Sequence, residues 1–323
     1  MYFNQNNNFY HGIMFHHFHD NGIHTKSQGS IDKDDFHNMI NFIGRNNILD
    51  ADVFFEKSKN NKLKNNEVCL TFDDGIKCQI DVALPVLEEF KIKSFFFVYT
   101  SVFSGKPDNL EIFRYFRMNY FNNINEFYES FYKSLDLDLK DFFKKNEHEI
   151  KYRKSKCPFY SIDDIKFRLV RNIFLTKNQY EKIMFSMIDD KKFYYKDFYK
   201  KLFFQKSDLQ TLDNLGHLIG LHSHNHPTMI EKLSYEEQKN EYEKCISSIS
   251  NILEKPKNKI KYMSHPCGSY NDDTLKILKG LGIELGFKNL MIIEKEKKMK
   301  KLNNSSLEIA RADHSNILKM MRR

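Results

Sequence analysis

The chain has 323 residues, 41% of them hydrophobic, which is enough for one large α/β domain or two smaller ones with a sizeable core. Lys and Arg outnumber Asp and Glu by 51 to 43, and the net charge of +8 favours anions such as nucleotide phosphates, lipid headgroups or acidic glycans. Because the chain has no nucleic-acid-binding motif and no run of 18 apolar residues, we expect no nucleic-acid partner and no transmembrane segment.

The N-terminal sequence and the cysteines predict a cytoplasmic protein. The start, MYFNQNNNFYHG, lacks the charged beginning and apolar centre of a signal peptide. The cysteines are odd in number and none is spaced as CxxC, which predicts free thiols in a reducing compartment. They are Cys69, Cys78, Cys157, Cys245 and Cys267.

Residues 1 to about 105 alternate between strand-like and helical stretches. The strand-like runs are GIMFHHF, EVCLTF and SFFFVYT. Between the last two, residues 76–90 place Ile80, Ala83, Leu84 and Leu87 on one helical face. This alternation predicts βαβ units and a parallel sheet.

Residues 106–205 have a different composition, rich in Phe, Tyr and Lys, with 21 basic against 15 acidic residues. The aromatic residues recur at helical spacing, so we predict a helical insertion or subdomain that leaves from the carboxyl end of the strand SFFFVYT. Its aromatic residues either form a core of their own or line one wall of a binding cleft. The positive charge would attract an anion such as a phosphate group.

The alternation returns in residues 206–323. Helix SDLQTLDNLG precedes strand HLIGLHS, and strand IKYMSHP follows the next helix. That helix, within residues 234–255, opens with a capping box formed by Ser234 and Glu237. A further helix in NDDTLKILKGLG has Asn271 as its predicted N-cap.

The sequence LTFDDG ends a predicted strand on two adjacent carboxylates, Asp73 and Asp74. Like charges this close repel each other, so at least one requires a cation or a proton. One explanation is a strand-to-helix turn, where the helix dipole favours acidic residues. The other is a metal site.

A second group of metal-type ligands, His222 and His226 in HSHNH, also follows a predicted strand. In α/β folds the carboxyl ends of parallel strands meet at one edge, where sites form. One Asp and two His are a common catalytic metal set that leaves positions open for water and substrate. A metal would also remove the repulsion between the two aspartates, because one could bind it while the other served as a base.

Two further stretches carry candidate groups. The turn in MSHPCGSYND is either an ordinary Pro/Gly turn or a source of oxyanion-binding N–H groups. The N-terminal run GIMFHHFHD holds histidines that are structural, metal-binding or catalytic. Strand alternation would place His17 and His19 on one face and His16 on the other.

Three of these motifs together resemble the NodB-type polysaccharide deacetylases of carbohydrate esterase family 4. The motifs are TFDDG, HSHNH as H-S-x-x-H, and the proline turn SHPCGSY. The resemblance covers about 10–105 and 207–315, and the intervening segment lies outside it. It implies a distorted (β/α)7-type barrel. Together with the helical insertion predicted above, this gives a barrel of residues 1–105 and 206–323 with 106–205 inserted. It also implies hydrolysis of N- or O-acetyl groups on sugars with a divalent metal, usually Zn²⁺.

The resemblance also implies roles for single residues. Asp73 resembles the general base, and Asp74, His222 and His226 resemble the metal ligands. The peptide N–H of Cys267, where the family usually has Tyr, resembles the oxyanion donor. The metal would lower the pKa of a bound water and polarise the acetyl carbonyl.

The chain departs from the family pattern at two places. The usual arginine before the proline turn is replaced, since Ser264 and His265 stand there, and we expect Arg311 to take its place near Asp73. The late Leu-x-His motif for the general acid is also unclear.

One branch of the family, the poly-N-acetylglucosamine deacetylases, takes this histidine from an N-terminal Tyr-His strand instead. With Phe15–His16 aligned on Tyr-His, His16 is the predicted general acid. The alternatives, in order of preference, are His17 and His314.

The sequence therefore predicts a cytoplasmic metal-dependent deacetylase that acts on an acetylated sugar, nucleotide- or lipid-linked, in surface-polysaccharide or glycolipid synthesis. Peripheral contact with a membrane would be compatible with this prediction. Two alternatives stay open. One is an amidase for a small non-sugar amide, and the other is an inactive deacetylase-like domain that binds a glycan or a partner enzyme.

Overall fold

A computed structural model describes residues 1–5, 9–27, 29–135, 137–156, 160–289 and 303–322. The chain divides into two compact units. The first, which we call the barrel unit, comprises Met1–Asp20, Ser30–Asp108 and Phe203–Arg323. The second, which we call the helical unit, comprises Asn21–Gly29 and Asn109–Leu202.

Within the described residues of the barrel unit, seven parallel strands form one sheet in the order β6-β5-β4-β3-β2-β1-β7. The strands are β1 (His11–Phe15), β2 (Val68–Phe72), β3 (Phe95–Val98), β4 (Leu218–Leu221), β5 (Tyr262–Ser264), β6 (Leu285–Phe287) and β7 (Arg311–Asp313). Because all are parallel, their carboxyl ends lie at the same edge.

The sheet nearly closes between β6 and the residues that precede β7. Phe287 and Ile309 form a parallel bridge, and Ile309 N–H donates to Gly286 O at 2.9 Å. A Cβ on Gly286 would lie 2.7 Å from the carbonyl oxygen of Leu307, so this close approach of the two chains requires glycine. The predicted distorted (β/α)7-type barrel is therefore confirmed.

The helices are numbered in chain order, and α4 to α10 belong to the helical unit. They are α1 (Lys33–Ile43), α2 (Ala51–Lys59), α3 (Leu84–Glu89), α4 (Asn109–Asn119), α5 (Ile124–Leu135), α6 (Lys140–Lys145), α7 (Glu147–Lys156), α8 (Ile162–Leu169), α9 (Lys177–Asp190), α10 (Tyr199–Leu202), α11 (Lys206–Asn214), α12 (Tyr235–Leu253), α13 (Asp272–Gly280) and α14 (His314–Met321). None of these described helices is both long and apolar enough to span a bilayer.

Capping residues in the sequence correctly predict where α12 and α13 begin. The predicted capping box of α12 forms, with the Ser234 hydroxyl accepting from Glu237 N–H and the Glu237 carboxylate accepting in return. Asn271 caps α13 as predicted. The helix predicted over 76–90 is less regular, because a π-helical turn at Gln79–Ala83 precedes α3.

Side chains of the strands alternate between two apolar clusters. In β3, Phe96 and Val98 join the cluster that includes the surrounding helices, while Phe95 and Phe97 join a smaller cluster with Phe287. The pleat sends successive residues to opposite faces, so the second cluster fills the barrel interior.

The described part of the helical unit contains helices and no strand. Its buried aromatic residues pack on one another, including Phe113, Phe127, Phe131 and Phe167. The guanidinium of Arg117 lies over the Phe127 and Phe167 rings at 5.8 and 5.1 Å from their centroids. These aromatic residues therefore form a core within the unit.

The described cysteines are free thiols, as predicted, and most of them are buried. Cys267 is the exposed one among them. The predicted free thiol Cys157 lies outside the described residues.

Candidate metal and catalytic site

The candidate residues follow four strands at the carboxyl edge of the barrel. Asp73 and Asp74 come directly after β2, and His222 comes directly after β4. The neighbouring ends are His16 after β1 and His265 after β5. This edge brings together side chains that are far apart in the chain.

Asp74, His222 and His226 present their ligand atoms to a common point. The Asp74 Oδ1 atom lies 3.2 Å from His222 Nε2 and 3.4 Å from His226 Nε2, and all three atoms lie within 4.8 Å of one another. Ligands about 2.0–2.1 Å from a tetrahedral ion are about 3.3 Å apart. The three residues could therefore hold a divalent cation.

The hydrogen bonds of the two histidines also fit a cation at this point. His222 Nδ1 donates to Ser264 O at 2.9 Å, and His226 Nδ1 donates to the Asp108 carboxylate at 3.0 Å. In neutral rings, both Nε2 lone pairs then face Asp74 Oδ1, a buried atom without a hydrogen-bond partner in the described residues. Three electron-rich atoms that face one another require a proton or a metal between them.

The short distances between these charged side chains also determine the pKa values of His226 and Asp74. Burial lowers the pKa of His226, but the carboxylates of Asp74 and Asp108 outweigh burial and raise that pKa to about 9. Burial raises the pKa of Asp74, yet His226 and His222 outweigh it, so this pKa lies well below its ordinary value. Without a metal, the positive charge of protonated His226 takes the place of the cation.

The site backbone is strained. Asp74, Ser223, His226 and Cys267 all have φ between +53° and +77°, the left-handed region that non-glycine residues rarely adopt. Such conformations cost about 1–3 kcal/mol each and persist when surrounding contacts hold them. The contacts described here therefore position these side chains against an intrinsic preference.

Glu241 on α12 supports the loop between His222 and His226. Its carboxylate accepts from the backbone N–H groups of His224 and Asn225 at 3.0 and 2.7 Å, and from the Asn225 side-chain amide. Thr100 adds a 2.9 Å hydrogen bond to the His224 ring. The loop is thus tied to a helix and to the end of β3.

The Asp73 carboxylate is buried, and both of its oxygens accept hydrogen bonds. Arg311 Nη1 donates to Oδ1 at 2.7 Å, and the Ser264 hydroxyl donates to Oδ2 at 3.1 Å. Burial raises the pKa of Asp73, but the charges of Arg311 and His222 outweigh it, so the pKa lies below its ordinary value. The structure therefore brings Arg311 to Asp73 and keeps Asp73 ionised.

Arg311 reaches Asp73 through the barrel interior, and Gly12 gives it room. Gly12 on β1 pairs with Arg311 on β7. A Cβ on Gly12 would lie 3.0 Å from Arg311 Cγ and 3.1 Å from the Phe287 ring. A larger residue at position 12 would displace one of these side chains.

The histidines of the N-terminal run lie after β1, since the strand ends at Phe15. The prediction that strand alternation separates His16 from His17 is therefore wrong, because alternation requires a continuous extended backbone. The two rings lie nearly parallel, 6.4 Å apart. His16 Nε2 is 4.0 Å from Asp74 Oδ2, and the side chain is 29% exposed.

The other candidate acid, His314, is buried at the start of α14. Its Nδ1 donates to Met14 O at 3.2 Å, and its ring stacks on Phe15.

Cys267 lies in the turn Pro266–Gly268, three residues after Ser264. His265, which directly precedes this turn, is buried, and burial lowers its pKa to about 4, which keeps the ring neutral.

Sequence reasoning missed three residues that hold the site: Gln79, Asp108 and Glu241. The Gln79 side-chain amide donates to Asp73 O at 2.6 Å and to His16 O at 3.0 Å, which ties the ends of β1 and β2 together. Gln79 begins the π-helical turn, a feature often found at functional sites. No local pattern marks these residues, because their contacts depend on strand order.

Comparisons with known proteins agree with this arrangement. The sequence profile of the family described as "Polysaccharide deacetylase" matches residues 60–115 and 172–286, more than half of the chain. No curated protein matches the chain in sequence.

Several solved structures share the fold over nearly the whole chain. A Streptococcus pyogenes deacetylase, PplD, in complex with acetate has 16% identity and a TM-score of 0.55, covering 96% of both chains. IcaB from Ammonifex degensii has 11% identity and a TM-score of 0.53, covering 98% of both chains. A de-N-acetylase from Aggregatibacter actinomycetemcomitans has 14% identity and a TM-score of 0.52, covering 96% of this chain and 98% of its own.

The match to the family profile includes the segments that carry Asp73, Asp74, His222 and His226. The barrel is the fold expected from the resemblance, and the solved structures share it. The chain therefore belongs to the polysaccharide deacetylase family.

Proposed function

We propose that this protein is a metal-dependent hydrolase that removes N-acetyl or O-acetyl groups from a sugar, and that Asp74, His222 and His226 bind Zn²⁺. The observation that carries the proposal is the arrangement around Asp74 Oδ1. Two imidazole Nε2 atoms approach this buried oxygen within 3.4 Å, and a second ionised carboxylate, Asp73, lies beside them. Metal-assisted hydrolysis requires such a grouping of metal ligands beside a free carboxylate.

The residues around this point would divide the chemistry. A divalent cation, when bound, would polarise the acetyl carbonyl and lower the pKa of a water. Asp73, held by Arg311, accepts a proton from the attacking water as its oxygen bonds to the carbonyl carbon. Cys267 N–H serves the developing oxyanion, and His16 donates a proton to the departing amine as the C–N bond breaks.

Charge and composition support a proposal for the carrier and the location of the substrate. Residues 106–205 have six more basic than acidic residues, which would attract a phosphate of a nucleotide- or lipid-linked sugar. The free cysteines of the described residues favour a cytoplasmic step in surface-polysaccharide or glycolipid synthesis. His16 after β1 supports assignment to the branch with an N-terminal catalytic histidine.

The test is a screen for acetate release with metal analysis of the same protein. Nucleotide-linked, lipid-linked and polymeric N-acetyl sugars are incubated with protein as purified, with chelator-treated protein, and with chelated protein after addition of Zn²⁺. We expect release from at least one sugar class, loss with chelator, and recovery with Zn²⁺. The variant Asp74→Asn should show no recovery.

Other outcomes would identify the alternatives. Release from small non-sugar amides alone would identify an amidase. Absence of acetate release from any substrate, together with binding of a glycan or a partner enzyme, would identify an inactive binding domain. Protein that binds no metal under any condition would contradict the proposed function.

A further inference from the structure

The two histidine ligands differ in the group that accepts a hydrogen bond from Nδ1, the ring nitrogen that does not face Asp74. His222 Nδ1 donates to a neutral backbone carbonyl, that of Ser264, at 2.9 Å. His226 Nδ1 donates instead to a carboxylate, Asp108 Oδ2, at 3.0 Å. The Asp108 and His226 side chains are each 10% exposed, so this is a largely buried, charge-assisted contact.

The local structure aims the Asp108 carboxylate at the ring. The backbone N–H of Asp108 donates to the hydroxyl of Tyr99 at 3.2 Å, and the Tyr99 ring packs against the His226 ring with centroids 5.4 Å apart. Tyr99 is buried directly after β3. The barrel strand therefore positions both members of the pair.

His226 also needs such support. Its φ of +54° lies in the left-handed region, so its backbone does not by itself favour the observed direction of the ring. The Ser223 hydroxyl accepts from the His226 N–H at 3.1 Å and stabilises the turn. The Asp108 carboxylate fixes the ring tautomer that turns the Nε2 lone pair toward Asp74.

We infer that Asp108 is a positioning residue for the metal ligand His226, and that it sets the affinity of the site for its divalent cation. This inference rests on the proposed function. A carboxylate behind an imidazole raises the basicity of the ligating nitrogen and prevents rotation of the ring. With Asp74 it gives the site two negative charges, which match the charge of a divalent cation.

A simpler role for Asp108 is to cap a helix. Asp108 immediately precedes α4, and Asp is a favoured N-cap residue. The two roles can be separated because serine caps a helix about as well as Asp but is too short to replace the carboxylate. Asn keeps both the capping preference and an oxygen that can accept from Nδ1, and it loses the charge.

The experiment measures Zn²⁺ binding by calorimetry on the full chain after chelator treatment. We compare the wild type with Asp108→Ser, Asp108→Asn and a matched control, Asp208→Asn. Asp208 is also a partly buried carboxylate of the barrel unit, but it pairs with Lys77 at 2.8 Å. The absorption spectrum of bound Co²⁺ reports the ligand geometry in each variant.

We expect Asp108→Ser to weaken Zn²⁺ binding by about 10–100-fold, with an altered Co²⁺ spectrum. Asp108→Asn should lose less affinity, and Asp208→Asn none. Wild-type Zn²⁺ affinity in Asp108→Ser would overturn the inference and leave the metal site intact. A wild-type protein that binds no Zn²⁺ would overturn both the inference and the proposed function. If Asp108→Ser does not fold, wild-type affinity in Asp108→Asn combined with an unchanged spectrum overturns the inference.

Discussion

The guanidinium of Arg311 and the carboxylate of Asp73 form an ion pair inside the barrel, with Nη1 2.7 Å from Oδ1 and both side chains at most 2% exposed. They are 238 residues apart in the chain. Arg311 stands on β7, whereas the family usually places its arginine before the proline turn. In this chain the tertiary structure supplies the cation from another strand, and Ser264 donates a second hydrogen bond to the same carboxylate.

We expect Arg311→Met to destabilise the protein by about 3–5 kcal/mol at pH 7, because Asp73 would remain charged, buried and unpaired. Urea unfolding measures the loss. The double variant Arg311→Met/Asp73→Asn should recover a large part of it, since the uncompensated charge is gone. Additive losses in this cycle would show that the two side chains are not coupled.

Asp73→Asn should reduce acetate release by about 10²–10⁴-fold while Zn²⁺ binding is retained, because Asp73 is the proposed base and lies outside the ligand set. The measurements are the rate of acetate release and metal content of the purified variant. Asp74→Asn is the contrasting variant, in which metal content itself should fall. Normal turnover by metal-loaded Asp73→Asn would remove Asp73 from the role of base.

His16→Ala should lose activity while it keeps metal and fold, and His17→Ala should be much milder. His16 Nε2 lies 4.0 Å from Asp74 Oδ2, and its partial exposure leaves it open to a leaving group. Rates, metal content and circular dichroism of both variants provide the comparison. The reverse ranking would assign the acid to His17. Two harmless variants would move it to His314.

His217→Asn should make the stability of the metal-free protein less sensitive to acid. Burial and then the charge of Lys93 lower the pKa of His217 from 6.5 to about 4. Ser94 N–H donates to its Nδ1 at 3.0 Å, so the folded protein requires an unprotonated nitrogen there. The unfolded chain binds a proton first as the pH falls, and stability present above pH 6.5 is lost progressively toward pH 4.

Asparagine at position 217 can offer an acceptor near the Nδ1 position without titrating. Between pH 7 and pH 5 the variant should therefore lose about 2 kcal/mol less than the wild type. Urea unfolding in the presence of a chelator at the two pH values measures this difference. Equal losses in the two proteins would mean that His217 does not control the acid sensitivity.

Local patterns predicted much of the barrel unit. Apolar runs marked β2 and β3, and the capping box at Ser234 marked the start of α12, because strand and helix preferences act over a few residues. The N-terminal histidines show the limit of such patterns. An apolar run does not reveal that β1 ends at Phe15, since the end is set by pairing with β2 and β7.

The sequence by itself determined which residues could do the chemistry. Through the family resemblance, its motifs indicate the proposed base, Asp73, and the proposed ligands, which are Asp74, His222 and His226. The tertiary structure decided what holds them. Asp108 lies 118 residues from His226 in the chain. Such contacts arise where the strand order and the closure of the barrel bring distant segments to one edge. A hydrogen bond between two distant side chains requires no repeating residue pattern, so the sequence does not reveal it.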